Sequence, residues 1–207
     1  MACDHKFKNF LRLEKLDFKP ETLIVGTFNP AWPEGNYAKW FYGRTSNNYF
    51  WEVLPRLYGE DSLRNATDKE WKEFCKINKV AITDLIESID DAEETNTKHI
   101  QLLKTYSDKS ISDSFAQHKD IKILDLLRDH PSIKNVYLTR QSGNPLFDNL
   151  WRPVQDYCKT KAMKAPMLLT PSGSARFQIA SYKAANPGIK SPLKNFIYDS
   201  WKANWHN

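Results

Sequence analysis

Cysteine is scarce: Cys3, Cys75 and Cys158 are all that 207 residues contain. So few, so scattered, exclude a disulfide framework, a zinc ribbon and a four-cysteine iron–sulfur site. The five histidines fall at no metal-ligand spacing, so neither a metal nor another cofactor is implied, and His99, His118 and His130 read as residues of solvated faces. No internal repeat or long flexible linker interrupts the chain. Apolar runs fall well short of the ~20 residues a membrane span needs, and the opening MACDHKFKNF has no apolar signal-peptide stretch. The expectation is a soluble, intracellular, cytoplasmic protein with one domain over residues 1–207.

What is present is a substantial core-forming fraction, 41% hydrophobic and 13% aromatic, enough for one well-buried domain. The formal charge is +5 and the pI about 9.0. That balance fits a polyanionic partner, because Lys and Arg neutralising phosphates supply most sequence-independent nucleic-acid affinity.

Short apolar strands alternate with longer helical patterns, which predicts a three-layer α/β/α domain around a four-stranded, mainly parallel sheet. The candidate strands are residues 22–26, 79–83, 135–139 and 166–170. Phe50, Val53, Leu54 and Leu57 recur at helical spacing, with Pro55 expected to kink that helix or move its start. Thr67 with Glu70 is a capping box opening a helix over 68–77. Further helices are expected over 97–106, 121–130 and from Leu146 to about Thr160, and a last one bears Leu193, Ile197 and Trp201. In that tail Phe196, Trp201 and Trp205 read as core-facing. The polar stretch 107–114 reads as a mobile loop.

Two strand ends carry matching loops. LIVGTFNPAW places Gly26, Thr27, Phe28 and Asn29 after a buried strand, with Pro30 forbidding its continuation. MLLTPSGSAR places Pro171, Ser172, Gly173 and Ser174 after another, with Arg176 opening a helix. Ligands of open α/β sheets bind at such carboxyl ends. Small residues and backbone N–H groups in the second loop suit a phosphate. Taken singly, each has a plainer reading: Asn29 as a turn residue, Ser174 as a helix N-cap, Ser172 as part of a turn.

GTFNP, TPSGSAR, the intervening WFYGRTSNNYFWEVL and the later DLLRDHPSIKNVYLT together resemble the uracil-DNA glycosylase superfamily, in its mismatch-specific/thymine-DNA and hypoxanthine-DNA glycosylase branches. The resemblance runs from about Leu23 to Arg176. Two residues separate Gly26 from Asn29 where the Asn-bearing branches have one. WFYGRTSNNYFW has one residue more than its counterpart, which leaves Asn47 and Asn48 as alternatives for that segment's asparagine, Asn48 matching better. Leu138-Thr139-Arg140 stands where the hypoxanthine branch has Phe-Asn-Gly.

The resemblance implies a monofunctional glycosylase removing uracil or hypoxanthine from damaged or mismatched DNA in base excision repair, acting as a monomer. Such an enzyme flips its target out of the stack and passes through an oxocarbenium-like transition state. The catalytic candidates are Asn29 for water and Asn48 for the leaving base, the latter equally a cap for the helix at Phe50. Gly26, Thr27, Phe28, Tyr42, Phe41, Thr139 and Arg140 are the candidate base-binding residues. Pro171, Ser172, Gly173, Ser174 and Arg176 are the candidate DNA contacts. Asp84 is weighed as a substitute base and expected to cap a helix instead. Two rivals stand beside this reading: a glycosylase-fold DNA-binding module without catalysis, and a nucleoside or nucleotide hydrolase.

Overall fold

The computed structural model describes residues 1–32 and 34–205. In chain order the elements are β1 (Cys3–Asp4), β2 (Thr22–Gly26), α1 (Phe50–Leu57), α2 (Asp68–Ile77), β3 (Val80–Asp84), β4 (Ile86–Ile89), α3 (Thr97–Lys104), α4 (Asp108–Ser114), β5 (His118–Asp120), α5 (Ile123–Asp129), β6 (Asn135–Leu138), α6 (Pro145–Thr160), α7 (Ala180–Ala185) and α8 (Pro192–Lys202). Short 3-10 turns occupy Lys8–Phe10 and Gly173–Gln178.

The architecture is α/β, but the sheet departs from the expected one. β2 lies between β3 and β6 with both pairings parallel. All five residues of β2 and of β3 are buried, as apolar strands covered on both faces require. The segment at 166–170 follows the edge of β6 without completing a fourth strand. It holds one isolated parallel bridge, Leu138 with Met167, and a second, Asn135 with Lys164, lies just before it. Pro166 has no N–H to give the ladder, and the Leu169 carbonyl turns away to accept from the Trp201 indole at 2.7 Å.

A second sheet, antiparallel in the order β1-β4-β5, was not foreseen. Its strands are two to four residues long, and β5 reads His-Lys-Asp, with neither alternation nor an apolar run to betray it.

Several local expectations match. Thr67 and Glu70 form the reciprocal capping box, Thr67 N–H to Glu70 Oε2 at 2.7 Å and Glu70 N–H to Thr67 Oγ1 at 3.3 Å. Pro55, however, does not move the helix start: α1 opens at Phe50 with the proline inside it, where its ring nitrogen has no proton for the Trp51 carbonyl. Leu63 N–H takes that carbonyl instead, at 2.9 Å. Trp201 is fully buried, in keeping with a core-facing tail. By contrast, most of 107–114 is α4, with the Ser107 hydroxyl accepting from Ser110 N–H as its N-cap. Among the described residues no helix is long and apolar enough to cross a membrane.

Candidate active site

The parallel sheet brings its strand ends into line. Gly26 pairs with Asp84 and Val25 with Leu138, so the loops leaving β2, β3 and β6 emerge at one edge. There they surround a cavity of about 500 Å³ lined by Gly26, Thr27, Phe28, Asn29, Tyr42, Asn48 and Asp84 from the first half of the chain, and by Asp108, Arg140 and Ser172 from the second. Phe41, Thr139, Pro171 and Ser174 line it too.

The Gly26–Pro30 loop is held by backbone bonds from two directions. Leu85 N–H donates to the Gly26 carbonyl at 3.0 Å and Ile86 N–H to that of Thr27 at 3.1 Å. From the N-terminal strand, Lys6 N–H donates to the Asn29 carbonyl at 2.8 Å, and His5 bridges to Pro30. The Asn29 side-chain oxygen accepts from Asn36 Nδ2 at 2.7 Å. No partner among the described residues takes its Nδ2.

The Trp40–Asn48 stretch joins the TPSGSAR loop directly. Asn48 and Ser172 form an antiparallel bridge, with Tyr49 N–H to the Pro171 carbonyl at 2.7 Å and Gly173 N–H to that of Asn47 at 3.0 Å. A Cβ on Gly173 would stand 2.0 Å from Asn47 Oδ1, so this approach needs glycine or a moved Asn47 side chain. The Asn48 amide oxygen accepts from Phe50 N–H at 2.9 Å, which serves the start of α1. Ser172, rather than Ser174, caps the 3-10 turn, accepting from Ser174 N–H at 3.3 Å.

Tyr42 lies at the cavity in the left-handed backbone region, φ 56°, which is uncommon for an aromatic residue and typical of functional loops. One face of its ring stacks on Phe50 at 3.8 Å, and its hydroxyl bonds Thr139 Oγ1 at 2.8 Å. Burial, reinforced by the Asp84 charge, pushes that hydroxyl's pKa up, so it stays protonated. Phe41 is only 1% exposed and packs with Phe7 and Trp40; it is core with one edge on the cavity.

Arg140 pairs with an acidic neighbour, Asp108. Its Nη1 lies 2.6 Å from Asp108 Oδ2, while Thr27 Oγ1 donates to Asp108 Oδ1 at 2.7 Å. Burial raises the Asp108 pKa against the opposing pull of Arg140 and Thr27. Beside it the Arg44 guanidinium lies 3.1 Å from the Tyr106 ring centroid, so the segment before α4 walls one side of the cavity. Sequence reasoning missed this wall; its only local signal was Ser107 preceding Asp108, an N-cap followed by an acidic first turn.

Asp84 caps no helix. A strand, β4, follows it, and its Oδ2 sits 2.7 Å from His5 Nε2 in a buried pair. Arg176 does not line the cavity; it is exposed in the 3-10 turn between Ser174 and Gln178, which do, and the adjacent Phe177, which drew no notice in the sequence, is 78% exposed. Among the described residues no group of three or more His, Cys, Asp or Glu is placed to hold a metal.

No protein-family model and no curated protein sequence matches the chain. Among solved structures it is similar to a solution NMR structure of a provisionally assigned uracil DNA glycosylase from Methanosarcina acetivorans. The TM-score is 0.52 and the identity 14%, over 89% of this chain and 92% of that one. At that identity the likeness carries the fold alone: the chain has a uracil-DNA-glycosylase-like α/β architecture.

Proposed function

We propose that the protein is a monofunctional DNA glycosylase that removes deaminated bases such as uracil or hypoxanthine by hydrolysing the N-glycosidic bond, in base excision repair. The observation that carries this reading is the meeting of the Asn29 loop and the Ser172 loop around one aromatic-walled cavity of about 500 Å³, at the edge of the sheet where such folds bind ligands.

In this reading a nucleotide flips out of the duplex and its base enters between Phe28 and the face of Tyr42 opposite Phe50. Asn29, its oxygen fixed by Asn36, turns its Nδ2 to the base edge or to water. The backbone around Thr27, with Asn48, holds charge developing on the leaving base. Thr139 and Arg140 shape the far wall. Pro171, Ser172, Gly173 and Ser174 follow the phosphate backbone, with Arg176 supplying charge and Phe177 an apolar wedge into the gap left in the stack. The enzyme works as a monomer on DNA in the cytoplasm, and needs no cofactor.

A second reading has specific support. Both candidate asparagines already spend their side-chain oxygens inside the protein, Asn29 on Asn36 and Asn48 on Phe50 N–H, which suits a module that grips damaged DNA without cutting the glycosidic bond. Duplexes carrying uracil, hypoxanthine or xanthine, incubated with the protein and then treated with alkali, separate the two. Strand breaks after alkali at any lesion support the glycosylase. Tight binding to an abasic duplex with no breaks selects the module, and cutting free nucleosides as readily as DNA selects a nucleoside hydrolase.

A further inference from the structure

Two carboxylates line the cavity, and their surroundings differ. Asp108 has both oxygens occupied, one by Thr27 and one by Arg140. Asp84 has only Oδ2 occupied, by His5; no donor among the described residues reaches Oδ1, although the residue is 5% exposed. Gly26 is what lets that free oxygen approach the end of β2. A Cβ there would stand 2.1 Å from Asp84 Oδ1 and 2.6 Å from the Tyr42 hydroxyl, so any side chain would push two hydrogen-bonded groups off the cavity floor.

The histidine behind Asp84 is locked. Phe7 N–H donates to His5 Nδ1 at 2.9 Å, which leaves the ring proton on Nε2, aimed at Asp84 Oδ2 2.7 Å away. The side chain of His5 is fully buried, between Phe28 and Phe41 at 5.7 and 5.6 Å. A buried imidazole that gives its only N–H to one carboxylate oxygen fixes the carboxylate's orientation and leaves the other oxygen's lone pairs toward the cavity.

We infer that Asp84 is the general base of the reaction and that His5 is its positioning residue, an assignment that rests on the glycosylase reading. As the C1′–N bond breaks, its electron pair leaves with the base. A water oxygen bonds C1′, and the water's proton passes to Asp84 Oδ1 and from there to solvent or to the departing base, giving an abasic hemiacetal and the free base. Asn29 then orients the water or base, the task an amide can perform, while the carboxylate takes the proton, which an amide cannot.

Single-turnover excision on the wild type's best lesion duplex tests this, with melting curves and affinity for a tetrahydrofuran-abasic duplex measured alongside. Asp84→Asn keeps an acceptor for His5 but no proton acceptor of useful basicity, and is expected to slow excision by about 100-fold or more with abasic-site affinity within about twofold of wild type. His5→Leu, which removes the donor, is expected to lose at least about tenfold, and His5→Gln, which restores an N–H near the same place, to recover most of it. Wild-type excision with an undiminished Asp84→Asn rate overturns the inference and leaves the glycosylase reading standing. If Asp84→Asn does not melt as a folded protein, the histidine pair decides: equal rates for Leu and Gln overturn it, rescue by Gln supports it. No release from any lesion by the wild type overturns the underlying reading, and the inference with it.

Discussion

Asn48 and Ser172 face each other across a single antiparallel bridge, and the two backbone hydrogen bonds flanking it join the rim of the cavity from opposite ends of the chain. Asn48 also spends its side-chain oxygen on Phe50 N–H, whereas Asn47 is exposed, with its carboxamide over Gly173. Replacing Asn48 by Ala is therefore expected to cost about 1 kcal/mol through the lost helix-start bond, a fall in Tm of roughly 2–4 °C for a chain of this size. Asn47→Ala is expected to melt like wild type. A stability loss confined to Asn47→Ala would mean that the bridge is organised differently.

Asn29 is held rather than free. Asn29→Ala is expected to reduce excision far more than DNA affinity, because its proposed partner is water or the base rather than a phosphate. Asn36→Ala, which releases the Asn29 oxygen along with the Asn36 bonds to the Pro30 carbonyl and from Ala38 N–H, is expected to produce a smaller loss in the same direction. Equal losses of rate and affinity in Asn29→Ala contradict the role.

The proposed DNA contacts of Arg176 and Phe177 are expected to make separable contributions. Removing the Arg176 charge is expected to weaken binding to every duplex sequence and to lower the salt slope by about one phosphate contact. Phe177→Ala is expected to leave stability unchanged, since the ring is 78% exposed, and to weaken binding to a lesion duplex by about 1–3 kcal/mol with the salt slope intact. Filter binding at several salt concentrations checks both. An Arg176→Ala slope equal to wild type rules out its phosphate contact.

Glu87, on β4 and buried, is ringed by Arg12 and Lys119 at 2.5 and 3.1 Å. Burial pushes its carboxyl up, but the hydrogen bonds and charges of Lys119 and Arg12 outweigh that and hold its pKa below the ordinary 4.5. A depressed carboxyl contributes stability that is complete above the unfolded value and disappears as pH falls through the folded one. Glu87→Gln is thus expected to melt lower than wild type at neutral pH, with the gap closing as pH falls below about 4.5. A gap that stays constant down to about pH 2 would show that the ion pairs contribute nothing.

The legible features were local in sequence. A run such as TLIVG identifies a buried strand because neighbouring residues carry the pattern, and Thr67 with Glu70 identifies a helix start for the same reason. The loops on β2 and after Leu169 were legible as candidates because Gly, Pro, Asn and Ser punctuate them. What escaped depends on distant partners. Asp84 looked like a cap because its actual partner, His5, lies 79 positions away, directly after a two-residue strand that only the β1-β4 pairing defines. The region at 107–114 looked like a loop because only Ile111 of α4 is buried, too little for an apolar stripe. The fourth strand was overcalled because its aliphatic residues suit a sheet, while its backbone bonds go partly to Trp201.

The most direct measurement is the release of free base. A duplex with a single deoxyuridine or deoxyinosine, incubated with a molar excess of protein and analysed by liquid chromatography before any alkali, is predicted to yield one free base per abasic site formed, with the strand still intact. Protein that binds the duplex firmly while every base stays attached contradicts catalysis in the Asn29–Ser172 cavity.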